Sequence, residues 1–174
     1  MGKKFWIAAL SLILVLTLAA CGTASLQNNE IASIDESSYE NSSYESVEGT
    51  RIKMATDNTE VIITLNDSRA AADLVAMLPL ELTLIERNSF AKGMTLPERL
   101  SSEEATTREY EIGDFGYWNA GPDLAIFYDD IYEQTIVDVI PLGHAESGAE
   151  ALANETGTVK LELLTDESEK IENE

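Results

Sequence analysis

Few residues in this chain belong to the types that carry out catalysis. His144 is the only histidine, and Glu146 and Ser147 follow it closely. A histidine beside a carboxylate can act as a general acid or base. Ser147, however, lies outside the Gly-x-Ser-x-Gly pattern that exposes a nucleophilic serine. A packing or loop role for His144 is the interpretation we favour over catalysis, and no catalytic residue is assigned from these side chains alone.

Metal and cofactor sites are not indicated by the sequence. Asp129, Asp130 and Glu133 lack the ligand spacing of a calcium loop. Zinc requires more nitrogen or sulfur ligands than one histidine supplies. We therefore expect no metal and no cofactor.

The single cysteine, Cys21, stands at the end of a signal-like segment. Lys3 and Lys4 precede an apolar run over residues 5–20, which would span about 24 Å as a helix, less than a bilayer core of about 30 Å. The run ends in Leu18-Ala19-Ala20-Cys21, which resembles the bacterial lipobox. This pattern predicts a lipoprotein signal peptide over residues 1–20, with the lipid attached to Cys21. We expect a lipid-anchored protein on the cell membrane that faces outside the cytoplasm.

The charge of the chain argues against nucleic-acid binding. The sequence has 11 Lys+Arg and 32 Asp+Glu, a net charge of -21. Loss of Lys3 and Lys4 with the signal peptide leaves nine basic residues and a net charge of -23. Such a chain repels phosphates. Solubility outside the cell is our preferred explanation of the acidity, and loose binding of cations or basic surfaces is the alternative.

Residues 21–50 are predicted to be a stalk between the anchor and a folded domain. Between residues 22 and 49 there are six acidic residues and no basic one, and Ser, Asn and Thr fill most of the remainder. Such a composition buries too little apolar surface to order itself. A flexible coil of this length spans about 30 Å.

Short alternating segments predict an all-β domain over residues 51–164, followed by an acidic tail over residues 165–174. Apolar and polar residues alternate in most of the predicted strands, and two further segments are predicted to be short helices. The predicted strands are residues 52–54, 61–65, 80–87, 115–118, 124–128, 136–142 and 159–164, with helices at 70–78 and 147–153 and an irregular stretch at 88–112. Many short strands with two short helices favour a barrel or sandwich.

Two longer segments resemble the bacterial cyclophilin-like family. Residues 112–128 read Ile-Gly-Asp-Phe-Gly-Tyr-Trp-Asn-Ala-Gly-Pro-Asp-Leu-Ala-Ile-Phe-Tyr, and residues 140–148 read Ile-Pro-Leu-Gly-His-Ala-Glu-Ser-Gly. The resemblance covers about residues 51–164. It implies a cyclophilin-like closed antiparallel β-barrel, usually of eight strands with a helix at each end.

The resemblance also suggests where a ligand would bind. In true cyclophilins, which are prolyl isomerases, an Asn-Ala-Gly-Pro segment lies in the peptide groove. The catalytic Phe-His-Arg strand of those enzymes is absent here, and Arg87 is the only arginine in a comparable strand. Alternation sends Tyr117 and Trp118 to opposite faces, so one of them can line a groove. The groove candidates are Trp118, Asn119, Ala120, Gly121, Pro122 and Phe127, and the remaining catalytic candidates are Arg87, His144 and Glu146.

Three functional hypotheses follow. The first is a non-catalytic binding or accessory module for a peptide or protein ligand. The second is a diverged prolyl isomerase acting on exported proteins. The third is another enzyme that uses Arg87, His144 or Glu146. The missing catalytic triplet favours the first, since fold resemblance alone is weak evidence of activity.

We expect Cys21→Ala to abolish anchoring, because the thiol is the group that carries the lipid. The wild-type precursor should be cleaved before Cys21 and sediment with membranes, whereas the variant should be released or remain as uncleaved precursor. Mass measurement and membrane fractionation check both points. Normal processing and equal membrane retention of the variant would remove the anchor hypothesis.

Overall fold

Eight antiparallel strands close into a barrel in the computed structural model, which describes residues 44–165. Around the barrel the order is β1-β2-β7-β5-β6-β4-β3-β8, and β8 pairs with β1 to complete the ring. The strands are β1 (Arg51–Ala55), β2 (Glu60–Leu65), β3 (Leu80–Arg87), β4 (Ala91–Thr95), β5 (Asp114–Trp118), β6 (Asp123–Phe127), β7 (Ile140–Ala145) and β8 (Gly157–Leu163). The predicted all-β barrel with two short helices is confirmed.

Alternation along each strand fills the barrel interior. Ile52 and Met54 of β1 are fully buried, and Phe115 and Tyr117 of β5 are almost completely so. The residues between them point to the outer face, because successive strand side chains alternate. An eight-stranded barrel is just wide enough for its inward side chains to fill it. Any ligand site of this barrel must therefore be sought on its outer face or at its ends.

The predicted helix after β2 is present as α1 (Arg69–Met77). The Ser68 side chain caps its first turn by accepting a hydrogen bond from the Ala71 N–H at 3.1 Å. Ala70, Ala71 and Leu74 form its buried face. The helix ends before Leu78, the residue that precedes Pro79, as sterics ahead of proline favour. A 3₁₀ helix (Ala149–Asn154) replaces the helix predicted at 147–153.

The prediction of an irregular stretch over residues 88–112 is wrong at its start, where β4 forms. Asn88 and Ser89 have positive φ values of 55° and 61°. Positive φ at both central residues is what a type I′ hairpin turn requires, and asparagine tolerates it well. The chain therefore reverses directly from β3 into β4, which the pattern of Lys92 and Gly93 did not reveal.

The prediction of a strand at 136–142 that ends at Gly143 is also wrong. Residues 129–139 form a loop, and β7 begins only at Ile140 and continues through Gly143. Gly143 pairs with Leu65 of β2. A Cβ on Gly143 would collide with the Thr64 carbonyl oxygen. The glycine is therefore a close-approach position within the strand rather than a strand breaker.

Residues 44–50, assigned to the stalk by sequence, lie against the barrel in the described structure. The partly buried Val47 packs on the core, and the Leu65 N–H donates to the Thr50 carbonyl at 2.8 Å. The signal peptide, Cys21, the stalk up to residue 43 and the tail from residue 166 lie outside the described residues.

We expect Gly143→Ala to lower the free energy of unfolding by about 2 kcal/mol or more, because the new methyl meets backbone that cannot move away. Gly93→Ala is the matched control. Its methyl would meet the Arg87 side chain, with the Nε atom 2.6 Å away, and this half-exposed side chain can shift by loosening its ion pair with Asp123, so the substitution should cost about 1 kcal/mol. Urea unfolding of both variants measures the difference, and equal losses would contradict the packing argument.

Candidate ligand-binding groove

A groove of about 240 Å³ runs over the outer face of β4 and β6. Its floor is made of small residues, Ala91 and Gly93 on β4 and Ala125 on β6. Gly93 and Ala125 are direct partners in the β4–β6 ladder. Because neither position carries a large side chain, the sheet surface is uncovered here, and the larger side chains around it form the walls of a groove.

Large apolar side chains form the walls of this groove. Trp118, at the end of β5, stands on one side, and Phe90 and Phe127 also line it. The loop over residues 129–139 contributes Thr135, Ile136, Val137 and Val139. Phe90, Tyr110, Phe127 and Tyr132 are stacked or tilted against one another at centroid distances of 4.7–5.5 Å. The lining is mostly apolar.

An ion pair between Arg87 and Asp123 is the charged feature of the groove lining. The Arg87 Nη2 group donates to Asp123 Oδ2 at 2.6 Å, and the Thr95 hydroxyl donates to Asp123 Oδ1 at 2.5 Å. Asp123 is 6 % exposed, so both of its oxygens are satisfied where water has little access. Asp123 thus fixes Arg87 and offsets its charge.

Arg87 keeps hydrogen-bonding capacity toward the groove. Its side chain is 41 % exposed, and a guanidinium carries five N–H donors, whereas the bond to Asp123 uses one nitrogen. Gly93 leaves room for this side chain to lie across β4. At one end of the apolar groove, Arg87 can therefore offer N–H donors whose positive charge is offset by Asp123.

Of the groove residues predicted from sequence, Trp118 and Phe127 line the groove. The turn that contains Asn119, Ala120, Gly121 and Pro122 lies behind Trp118 instead of lining the groove. A Cβ on Gly121 would collide with the Trp118 ring, so the ring packs closely against this glycine. The turn is tied to the chain after β4, because Arg99 Nη1 donates to the Asn119 carbonyl and the Leu96 N–H donates to the Pro122 carbonyl at 2.9 Å.

The three catalytic candidates are not brought together. Arg87 lines the groove, whereas His144 sits on β7, where its Nδ1 lies 2.8 Å from Asp114 Oδ1. Glu146 forms a surface ion pair with Arg51 at 2.8 Å. The hydrogen bond from Arg51 lowers the pKa of Glu146 below its ordinary value. These placements give no shared acid–base centre.

A second polar cluster, near the 3₁₀ helix, joins the buried Lys92 to the half-exposed Glu86. The buried Lys92 Nζ donates to Glu86 Oε2 at 2.7 Å and to the Ala153 carbonyl at 3.2 Å. The Tyr128 hydroxyl donates to Glu86 Oε1 at 2.8 Å, and burial together with this bond raises the pKa of Tyr128 to about 12. Burial raises the pKa of Glu86, but the bonds from Lys92 and Tyr128 outweigh it and leave that pKa lowered.

Sequence reasoning missed Asp123, Ala125 and the loop at residues 129–139 as groove elements. A signal was present, because an aspartate begins the apolar run Leu-Ala-Ile-Phe, and Ala and Gly occupy the outward positions of β4 and β6. Within residues 44–165 there is no cluster of three His, Cys, Asp or Glu side chains suited to a metal ion. The same residues include no helix long and apolar enough to cross a membrane.

The barrel is that of a cyclophilin-like domain, and comparison with known proteins agrees. The model of the Cyclophilin-like family matches residues 54–163, and the chain belongs to that family. The solution structure of the hypothetical protein AF2241 from Archaeoglobus fulgidus is similar, with a TM-score of 0.58 at 19 % identity over 69 % of this chain and 98 % of that one.

A second structure, McbB in complex with tryptophan, aligns at 14 % identity with a TM-score of 0.49, over 66 % of this chain and 46 % of that one. No curated protein matches the chain. The comparisons therefore establish family and fold, and the argument about function depends on the groove itself.

We expect a double-mutant cycle of Arg87→Ala and Asp123→Ala, followed by urea unfolding, to give a coupling of about 1 kcal/mol, since one partner is buried and the other half-exposed. The control is the exposed Arg51–Glu146 pair, treated in the same way, for which less than about 0.5 kcal/mol is expected. A coupling near zero for the first pair would show that Asp123 does not hold Arg87.

Proposed function

We propose that this chain is a membrane-anchored lipoprotein whose cyclophilin-like domain binds an extended peptide segment in the outer groove, without catalysing a reaction on it. The observation that carries the proposal is the trough over Ala91, Gly93 and Ala125, with Trp118 and Phe127 among its walls. An apolar trough with one hydrogen-bonding end suits an apolar side chain and an adjacent peptide carbonyl.

The binding hypothesis is favoured by how the polar groups are arranged. Acid–base chemistry requires a titratable group within reach of the ligand. Arg87 is bonded to Asp123, the Asp123 carboxylate already accepts two hydrogen bonds, and His144 lies at the Asp114 side chain. Donation from Arg87 to a carbonyl requires no chemical step.

Anchoring is the second part of the proposal and depends on sequence alone. The segment Leu18-Ala19-Ala20-Cys21 supports lipid attachment at Cys21, and a stalk that follows would hold the domain away from the membrane. The domain would then meet its ligand outside the cytoplasm.

The alternative is a diverged prolyl isomerase that acts on exported proteins, and the position of Arg87 in the groove favours it. An arginine that donates to a twisted imide could lower a rotation barrier of about 18–20 kcal/mol. The ion pair to Asp123 works against this alternative, because it offsets the charge that would polarise the imide.

We expect the groove to bind a capped hexapeptide with a central Leu-Phe pair flanked by Gln, and Ala125→Leu to weaken that binding about tenfold or more. Leucine at position 125 fills the trough, and overpacking costs of about 1–3 kcal/mol correspond to such a factor. The full chain in detergent, with Trp6→Phe, leaves Trp118 as the only tryptophan and therefore as the fluorescent reporter in the groove wall. Circular dichroism controls for folding, and binding that survives Ala125→Leu would contradict the proposal.

A proline-limited peptide assay on the same protein separates the two functions. We expect no acceleration over buffer. Clear acceleration that is lost in Arg87→Ala would replace the binding hypothesis by the isomerase.

A further inference from the structure

The surface around the groove carries an unusual concentration of exposed apolar side chains. Six large apolar residues are exposed in the described part of the chain, and four of them, Ile131, Tyr132, Ile136 and Val137, lie in the loop at residues 129–139. Two of these four, Ile136 and Val137, also line the groove. Apolar patches of this kind mark interaction sites on soluble domains.

Hydrogen bonds hold this loop in place on the neighbouring chain segment. Thr135 is 3 % exposed, and its N–H donates to the Arg108 carbonyl at 2.8 Å, while Arg108 Nε donates back to the Thr135 carbonyl at 2.7 Å. Val139 and Thr107 exchange backbone bonds at 2.9 Å, and the Tyr132 N–H donates to the Tyr110 hydroxyl at 3.1 Å. The backbone that carries the exposed apolar side chains is therefore held in place by hydrogen bonds.

Beside the groove is a smaller hollow of about 60 Å³, and the two share lining residues. Phe127, Thr135 and Val139 line both. Two acidic residues, Glu109 and Asp114, also line the hollow. Asp114 Oδ1 lies 2.8 Å from His144 Nδ1, and Asp114 Oδ2 accepts the Glu111 N–H at 2.9 Å. A ligand that lies along the groove can thus place its next side chain in an acidic hollow.

The charges around both depressions are mostly negative. The basic side chains there are Arg87, which is paired with Asp123, Arg108, and His144, whose Nδ1 lies 2.8 Å from Asp114 Oδ1. Eight acidic residues line the groove or the hollow or lie in residues 107–114 and 129–139 beside them. They are Glu109, Glu111, Asp114, Asp123, Asp129, Asp130, Glu133 and Asp138. A second copy of this acidic chain, or an anionic membrane surface, would be repelled.

We propose that the ligand is an extended polypeptide segment in which a lysine or arginine lies next to an apolar residue, with the apolar side chain in the groove and the cation in the hollow. This inference rests on the proposed groove function and names its ligand class. Apolar burial supplies affinity, while the carboxylates select the positive charge and speed encounter. The acidity of the domain thereby takes part in recognition as well as in solubility.

The test compares two capped hexapeptides that share the central Leu-Phe pair and differ only in flanking Lys or Gln, using Trp118 fluorescence of the full chain with Trp6→Phe in detergent. We expect the Lys peptide to bind about fivefold or more tightly at low salt, and this advantage to shrink as salt is raised. Glu109→Gln combined with Asp114→Asn should reduce the advantage by about twofold to fivefold for each charge removed, because these two residues line the hollow.

The matched control is Glu81→Gln combined with Asp57→Asn, which removes the same charge from β3 and from the β1–β2 turn, away from both depressions. It should leave the advantage of the Lys peptide unchanged. An equal loss in both double variants would mean general attraction to an acidic protein and would overturn the inference.

The outcomes separate the inference from the proposed function. If both peptides bind equally and Ala125→Leu abolishes binding, the groove function stands and the cation preference is wrong. If the Lys peptide binds equally well to Ala125→Leu, its site is not the groove and the inference is wrong. If neither peptide binds, both the inference and the groove function are contradicted.

Discussion

The pairing of β8 with both β1 and β3 is the constraint on which the remaining structure depends. Leu161 of β8 lies opposite Met54 of β1 and also opposite Leu80 of β3, so one short strand closes the ring. Closure leaves no unpaired strand edge, which would otherwise invite pairing with other chains. It also commits alternate side chains to an interior that they fill. The groove therefore lies on the outer face, where β4 and β6 carry the small residues Ala91, Gly93 and Ala125.

On that outer face, a buried carboxylate organises the polar end of the groove. Asp123 is the first residue of β6. It accepts hydrogen bonds from the Thr95 hydroxyl and the Arg87 guanidinium, and it is nearly inaccessible to water. A buried carboxylate without these donors would be costly. The arrangement leaves Arg87 as a positioned donor with an offset charge, which suits a neutral carbonyl better than a carboxylate. The cation of the proposed ligand would then be met at the neighbouring hollow, which Glu109 and Asp114 line.

Most of the fold could be predicted from the sequence, and the errors of that prediction have specific physical causes. Alternation located β1, β2, β3, β5 and β6 because each has one buried and one outer face. β4 was missed because its outward residues are Ala and Gly and an inward one is Lys92, so no hydrophobic alternation is visible. Lys92 is tolerated inside because Glu86, its partner across the β3–β4 hairpin, and the distant Ala153 carbonyl accept its hydrogen bonds, and neither contact shows in the hydrophobic pattern. β7 was misplaced because the apolar residues of the 129–139 loop were mistaken for strand, although Ile136 and Val137 are exposed.

By itself the sequence determined the family, the barrel class, the strong negative charge and a candidate anchor at Cys21, because these depend on residue order and composition. It also identified Trp118 and Phe127 as groove candidates. Only the tertiary structure decided that Arg87 meets Asp123, which is 36 residues away. It likewise decided that His144 and Glu146 lie apart from Arg87, and that the 129–139 loop forms a wall of the groove. Contacts between distant strands follow from barrel closure and register, and these have no local signature in the chain.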